Sequence, residues 1–436
     1  MIEFLLSSFY FLIFCFIISK ISFFEDKTIP RSWFIAAFAI KFFVAVILTL
    51  IYTKYYTDRS TADVFKYFDD GLVLFSALEN NPIDYLKLLL GLDFDTTYFT
   101  SKYYEKTNFW NRTYEDGLVS DTHIIIRFNA FVRLFSFGYF QVHNVFINFV
   151  SLVGLTLIYK AFKSFLVQKE KLLFYVILLI PSVLFWGSGL LKESIIFFGL
   201  GLFLHNFFKL TNNFKPLHLI YCFVGLFLIV YTKLYLVIAF SIPVLGHLIN
   251  HYLKPKKIIY SYLTATTFFL GIINFTPLIL PQFNFVEKIA SKQQTFSRFV
   301  KSIETNSGIK IPELTDGLSI IKNIPNALNN TLIRPYLWEC KSVFVWLSAI
   351  ENIAILLLII MAIYYQKKIT NLQQNIFLFN LFFIVFLFTI IGLTTPVFGA
   401  IMRYKIPGLI LLMINLLIVL DIDKIRALHP TLKKIL

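Results

Sequence analysis

The length of its apolar runs limits this chain more than any other feature. Run after run stays apolar for more than about 18 residues, which is what one helix needs to cross the hydrocarbon layer of a bilayer. No water reaches that depth, so every backbone N–H and C=O must be satisfied within the protein. Only helices and closed barrels achieve this. Barrel strands alternate polar and apolar positions, and these runs do not. The composition agrees: 58% of the 436 residues are hydrophobic, 15% are charged, and mean hydropathy is +0.73. Soluble domains carry roughly 25% charged residues, so a water-soluble fold and a disordered chain are both excluded. The fold class expected is all-α, a polytopic integral membrane protein.

Window hydropathy gives about eleven spans, at 2–19, 33–53, 142–160, 172–187, 190–208, 216–232, 234–252, 258–280, 343–365, 374–394 and 399–420. Only Glu3 precedes the core of the first span, and no small-residue cleavage site follows it. It therefore reads as a membrane helix and not as a signal peptide. Alternate loops are short and basic. They carry Lys20, Lys27 and Arg31; Lys160, Lys163, Lys169 and Lys171; Lys209 and Lys215; Lys254, Lys256 and Lys257; Lys367 and Lys368; and Lys424, Arg426, Lys433 and Lys434. Such loops face the cytoplasm. With eleven spans all six fall on one side, which puts the N-terminus outside and the C-terminus inside. The net charge of +15 follows from these loops, and no nucleic-acid partner is expected. Cys15, Cys222 and Cys340 are scattered and support neither a disulfide framework nor a cysteine metal site.

Two long loops fall on the outer side, at 54–141 and 281–342. The first holds twelve of the chain's 25 acids. Within it Val64, Phe65, Phe68, Leu72, Phe75 and Leu78 form one apolar stripe at helical spacing, and Ile124, Phe128, Phe131, Leu134 and Phe135 form another. Both read as amphipathic helices lying on the outer membrane surface. The whole chain, 1–436, reads as a single membrane domain with these two loops.

Four constellations could carry chemistry. In Thr61 to Gly71, Asp63, Tyr67 and Asp70 stand at i, i+4 and i+7, on one helix face, with Asp69 beside them. A carboxylate there could act as a general base or ligate a divalent metal; the plainer reading is a solvated face with a Lys66–Asp70 pair. In Pro181 to Ser194, a glycine-bearing turn leads into a helix start carrying Lys192 and Glu193. Backbone N–H groups at such a start favour an anion, and ionisable groups at membrane depth tend to be functional. The plainer reading is a tight hairpin with Lys192 paired to Glu193. In Leu332 to Glu339, Arg334 suits phosphate, and Tyr336, Trp338 and Glu339 lie close by, although Trp and Tyr also populate the interfacial belt. In Gly399 to Pro407, Arg403 and Lys405 could hold a pyrophosphate or anchor the helix by snorkelling. The histidines show no metal-ligand spacing, so no cofactor is assigned beyond a possible divalent metal.

These four segments, in this order, resemble bacterial membrane proteins encoded with cell-surface polysaccharide machinery. The shared pattern is an Asp-containing first outer loop (Asp63 to Gly71), a PSxLFWxSG…K(D/E) hairpin (Pro181 to Glu193), an RPxxWE segment (Arg334 to Glu339) and an RY(K/R)xP final span (Arg403 to Pro407). Members are similar to C-type glycosyltransferases and O-antigen-polymerase-like proteins, which use polyprenyl-phosphate sugars at the outer face. The resemblance implies a bacterial cytoplasmic (inner) membrane location. It also implies an early outer-loop acid as base, or outer-face arginines such as Arg334 and Arg403 in the polymerase manner.

The expected function is thus glycosyl transfer or polymerisation for surface polysaccharide, with a polyprenyl-phosphate-linked sugar, a glycan acceptor and membrane lipids as partners. Asp63, Asp69 and Asp70 are the candidate bases. Tyr67, Lys192, Glu193, Arg334, Trp338, Glu339, Arg403 and Lys405 are the candidate substrate and phosphate contacts. Tyr67, Trp110, Tyr336 and Trp338 could serve as platforms for sugar rings. The alternative is a transporter or flippase of lipid-linked glycans; the internal repeats and paired broken helices common in transporter folds are not found.

Overall fold

A computed structural model describes the chain except residues 56–58, 60–61, 93–96, 111–119, 303–306 and 429–436. Thr61 of the first motif and the basic residues Lys433 and Lys434 lie outside the described residues. The regular structure of the described residues is helical, with no strand beyond two isolated bridges. The helices are α1 (Ile2–Lys20), α2 (Arg31–Lys54), α3 (Asp63–Phe75), α4 (Ala77–Asn80), α5 (Pro82–Leu90), α6 (Thr97–Lys102), α7 (His123–Ser136), α8 (Phe140–Phe162), α9 (Glu170–Leu178) and α10 (Pro181–Trp186). They continue as α11 (Lys192–Asn212), α12 (Pro216–Leu253), α13 (Ile258–Ile279), α14 (Phe285–Ser302), α15 (Gly317–Leu332), α16 (Val343–Tyr364), α17 (Asn371–Thr394), α18 (Phe398–Tyr404), α19 (Ile406–Val419) and α20 (Ile422–Leu428).

Among the described residues eight helices are long and apolar enough to cross a membrane, and α18 with α19 passes as a ninth, bent by 56°. The chain is a membrane protein. The sequence windows divide the chain at two further places. The spans read at 216–232 and 234–252 are two helices, grouped here as α12, that meet at a kink at Lys233, whose φ of −155° and ψ of 87° leave the helix. The span read at 172–187 is two short helices, because Pro181 starts α10 and holds Ile180 extended, at φ −59° and ψ 130°.

Residues Met1–Phe162 with Ile177–Leu234 form one compact unit, and Lys163–Val176 with Tyr235–Leu436 form a second. In the first, α8 and α11 approach at glycines. A Cβ on Gly154 would sit 2.4 Å from backbone atoms of Phe197 and Phe198, and one on Gly201 would sit 2.3 Å from the Gly154 carbonyl. At one end of this unit, Lys160 donates to the Phe23 carbonyl and Tyr159 reaches Asp26 at 3.4 Å. The α1–α2 turn and the C-terminus of α8 therefore share that end, and the basic residues with them.

Toward the other end, residues 62–130 have a core of their own. Phe65, Tyr67, Tyr85, Phe99, Tyr104, Trp110, Ile125 and Ile126 are buried in one cluster that continues onto Leu190, Leu191 and Ile195. Helices α3 and α7 pack face to face, close enough that a Cβ on Gly71 would lie 2.6 Å from Asn129 Cβ. This pairing keeps most of the first stripe and corrects the second. On α3, Val64, Phe65 and Phe68 are buried with Tyr67, Gly71 and Leu74, while Leu72 is exposed; Phe75 and Leu78 pack against the same core. On α7 the apolar Phe131, Leu134 and Phe135 are exposed, and Asn129, Arg133 and Ser136 point inward. Asn129 and Ser136 find a common partner: His143 bridges Asn129 Oδ1 (2.7 Å) and Ser136 Oγ (2.8 Å).

In the second unit α15 packs on α17 at Gly392, where a Cβ would lie 2.1 Å from the Ala327 carbonyl. Capping boxes set the starts of both helices, Asp316 with Ser319 and Thr370 with Gln373. Buried Gln293 ties α14 down by donating to the Pro312 and Leu393 carbonyls at 2.8 and 2.7 Å. Lys169 Nζ donates to the carbonyls of Leu417 and Leu420, both at 2.6 Å, and so caps the end of α19.

Candidate functional site

The four sequence motifs join two and two, one pair in each unit. In the first unit the hairpin 187–191 is fixed from below. The Gly187 carbonyl accepts from Lys41 Nζ (2.6 Å), Ser151 Oγ (2.8 Å) and Ser194 Oγ (3.1 Å). Asn148 Nδ2 holds the Ser188 carbonyl at 2.8 Å. Lys41 lies mid-helix in α2, so the hairpin turns well below the ends of that helix. The N–H groups of Gly187, Ser188 and Leu191 bond within the hairpin. The turn is therefore a braced corner, and its charge comes from side chains.

That charge sits at the start of α11. Lys192, its first residue, is 3% exposed, and Glu193 beside it is equally buried. Lys192 Nζ lies 2.7 Å from Asp121 Oδ2, and Lys233 Nζ approaches the same oxygen at 2.8 Å. Lys192 also lies 5.8 Å from the centre of the Tyr67 ring, so the hairpin motif meets the first outer-loop motif here. Two ammonium groups from two elements thus converge on one oxygen.

The three outer-loop acids have separate fates. Asp63 is half-buried at the first residue of α3. Asp69 is held from both oxygens by Arg59, at 2.7 and 3.2 Å. Asp70 is wholly buried. It accepts the backbone N–H groups of Asn108 and Phe109, each at 2.7 Å, and clamps that segment onto α3. Burial pushes the Asp70 carboxyl above the usual range, against the pull of those N–H groups. Asp70→Asn would set an NH2 group against one of the N–H donors, at a cost of roughly 1–3 kcal/mol. Faster amide hydrogen exchange at Asn108 and Phe109 is the expected result; unchanged exchange would show that the clamp does not depend on the carboxylate.

The aromatic platforms also sort themselves. Both faces of Trp110 are covered, by Tyr104 at 4.4 Å and by His123 at 3.7 Å, and Tyr67 is fully buried. Neither offers a ring face to a sugar. Trp338 is 82% exposed and stacks on Tyr336 at 4.8 Å.

In the second unit the Arg334–Glu339 and Arg403–Pro407 motifs become one network. Arg334 Nε and Nη2 donate to Glu339, and Nη1 donates to Asn330 Oδ1 at 2.9 Å. Burial opposes the Glu339 charge, yet the Arg334 bonds and the Tyr336 N–H outweigh it and hold its carboxyl below the usual range. The Arg334 carbonyl accepts from Asn352 Nδ2 at 2.8 Å. Lys405 Nζ in turn donates to Asn352 Oδ1 at 2.7 Å and to the Thr331 carbonyl at 3.0 Å. Arg403 is half-buried on α18.

Asn352, Lys233, Lys41 and Asp121 escaped sequence reading as site residues. Hydropathy windows average a lone lysine away. A rule that flags each ionisable residue inside an apolar run would have found Lys41 and Lys233. Among the described residues no group of three or more His, Cys, Asp or Glu side chains is placed to hold a metal ion. No protein-family model, curated protein or solved structure matches the chain.

Proposed function

We propose that this membrane protein transfers glycosyl groups, as a glycosyltransferase or polysaccharide polymerase, from a polyprenyl-phosphate-linked donor at the outer face of a bacterial cytoplasmic membrane. In this reading the chain crosses about eleven times. Its N-terminus is outside, its C-terminus is inside, and the loops 54–141 and 281–342 are extracytoplasmic. The observation that supports it is the convergence of Lys192 and Lys233 beneath the folded layer 62–130. Two buried cations at membrane depth are costly, and a lipid phosphate is a partner that would use them.

The acceptor hydroxyl attacks the anomeric carbon, its proton passes to a base, and the glycosyl–phosphate bond breaks. The electron pair leaves with the polyprenyl phosphate, or pyrophosphate, whose growing charge the cations stabilise. Asp63, Asp69 and Asp70 are the candidate bases; Asp69 also pairs with Arg59, and Asp70 also clamps the Asn108–Phe109 segment. Exposed Trp338 and its neighbour Tyr336 suit a sugar face.

The test compares lipid-linked glycans and surface polysaccharide with and without the chain. Accumulated single repeat units indicate a polymerase, and a truncated repeat indicates a transferase. Complete repeats confined to the inner leaflet would replace this proposal with the flippase reading. Asp63→Asn should accumulate normally and fail to complement. Reporter fusions near 165 and 255 and at the C-terminus should report cytoplasm, with fusions near 100 and 310 outside; one disagreement breaks the topology.

A further inference from the structure

We propose that Lys192 and Lys233 form a phosphate-binding site in which the Asp121 carboxylate holds the phosphate's place, and that the donor's lipid phosphate displaces it. This deepens the function proposed above and rests on it for the identity of the lipid. The two ammonium groups reach one carboxylate oxygen, at 2.7 and 2.8 Å, so they lie within a few ångströms of each other. Like charges so close repel, and both side chains are more than nine-tenths buried, at 4% and 9% exposure. Apolar residues would fill such a position more cheaply. An arrangement this costly is explained by an anion that must be bound there.

The three members are not equally fixed. Lys192 opens the 21-residue helix α11, and Lys233 projects from the break in α12. Asp121 lies on irregular chain just ahead of α7 and is the most exposed of the three, at 25%. The acid is thus the member that can leave. Two lysine point charges aimed at one oxygen suit a phosphate, which brings more charge and more terminal oxygens than a carboxylate. The start of α11 adds the positive end of a helix beside them.

The test uses the purified full chain in detergent and measures binding of farnesyl phosphate, with farnesol and inorganic pyrophosphate as separate arms. Asp121→Asn should bind farnesyl phosphate at least about tenfold more tightly than the parent, because the competing contact is charge-assisted. Adding Lys233→Gln should abolish the gain, and farnesol should show none. Unchanged or weaker binding in Asp121→Asn would overturn the proposal, as would an equal gain for farnesol. An equal gain for pyrophosphate would overturn the lipid as source and leave a free phosphate in its place. If Asp121→Asn does not accumulate, photolabelling of the parent chain with a diazirine farnesyl phosphate decides. Label within 188–196 and 229–236, blocked by pyrophosphate, supports the site; label only elsewhere overturns it. A binding gain with unchanged cellular glycans would remove the glycosyl-transfer reading and leave the site. A glycan defect without the gain would do the reverse.

Discussion

Gly154→Val should remove the protein from the membrane fraction. The side chain would enter a space where a Cβ alone meets Phe197 and Phe198 backbone at 2.4 Å. Backbone cannot rotate away as a side-chain tip can. Facing it, Gly201 is as tightly placed against the Gly154 carbonyl, so α8 and α11 cannot slide to make room. Overpacking usually costs about 1–3 kcal/mol. With backbone on the receiving side the cost should exceed roughly 3 kcal/mol, a shift of more than a hundredfold toward the unfolded chain. Gly271→Ala is the control. Nothing lies within 4 Å of its Cβ position, and alanine is the better helix former by about 1 kcal/mol. Its level and melting temperature in detergent should hold or rise. Normal accumulation of Gly154→Val would mean that the α8–α11 approach is looser than described.

Arg334→Lys should lower glycan product by roughly a hundredfold or more, if Arg334 stabilises a phosphate in the transition state. A guanidinium has five N–H donors. Its bonds to Glu339 and Asn330 employ three of them, leaving two for a phosphate oxygen. Lysine cannot span Glu339 and a phosphate with the same rigid fork. Glu339 is about four-fifths buried, so removing its cation also carries a structural cost. The double variant Arg334→Gln with Glu339→Gln separates the two effects, because it removes both charges of the pair together. If Arg334 serves only Glu339, the double variant restores both protein level and product. If Arg334 serves the substrate, it restores the level alone.

What sequence could show followed from what each window averages. Apolar length marks helices such as α2, α8 and α17 directly, because an unbroken apolar run crosses lipid only as a helix, barrel strands being alternating. The α7 stripe was visible, but its direction was not. Beside lipid an apolar face can point outward, so Phe131, Leu134 and Phe135 face out while Asn129 and Arg133 find partners within. Each site motif was legible as a local string. Their joining was not, because it runs through residues that no motif contains. Asn352 links Arg334 to Lys405, and Asp121 links Lys192 to a lysine 41 positions further on. Such links depend on side chains meeting in space, which spacing along one helix does not encode.

The cap that Lys169 places on α19 has a consequence for how the protein is made. Its acceptors, the carbonyls of Leu417 and Leu420, follow it by 248 and 251 residues. At about 5–20 residues per second, a ribosome needs roughly 10–50 seconds to supply them. Throughout that interval Lys163–Val176 is already synthesised, while the rest of its own unit begins only at Tyr235. The cap on α19 thus forms late in synthesis, and a nascent chain stopped before Leu417 leaves the Lys169 ammonium without either carbonyl.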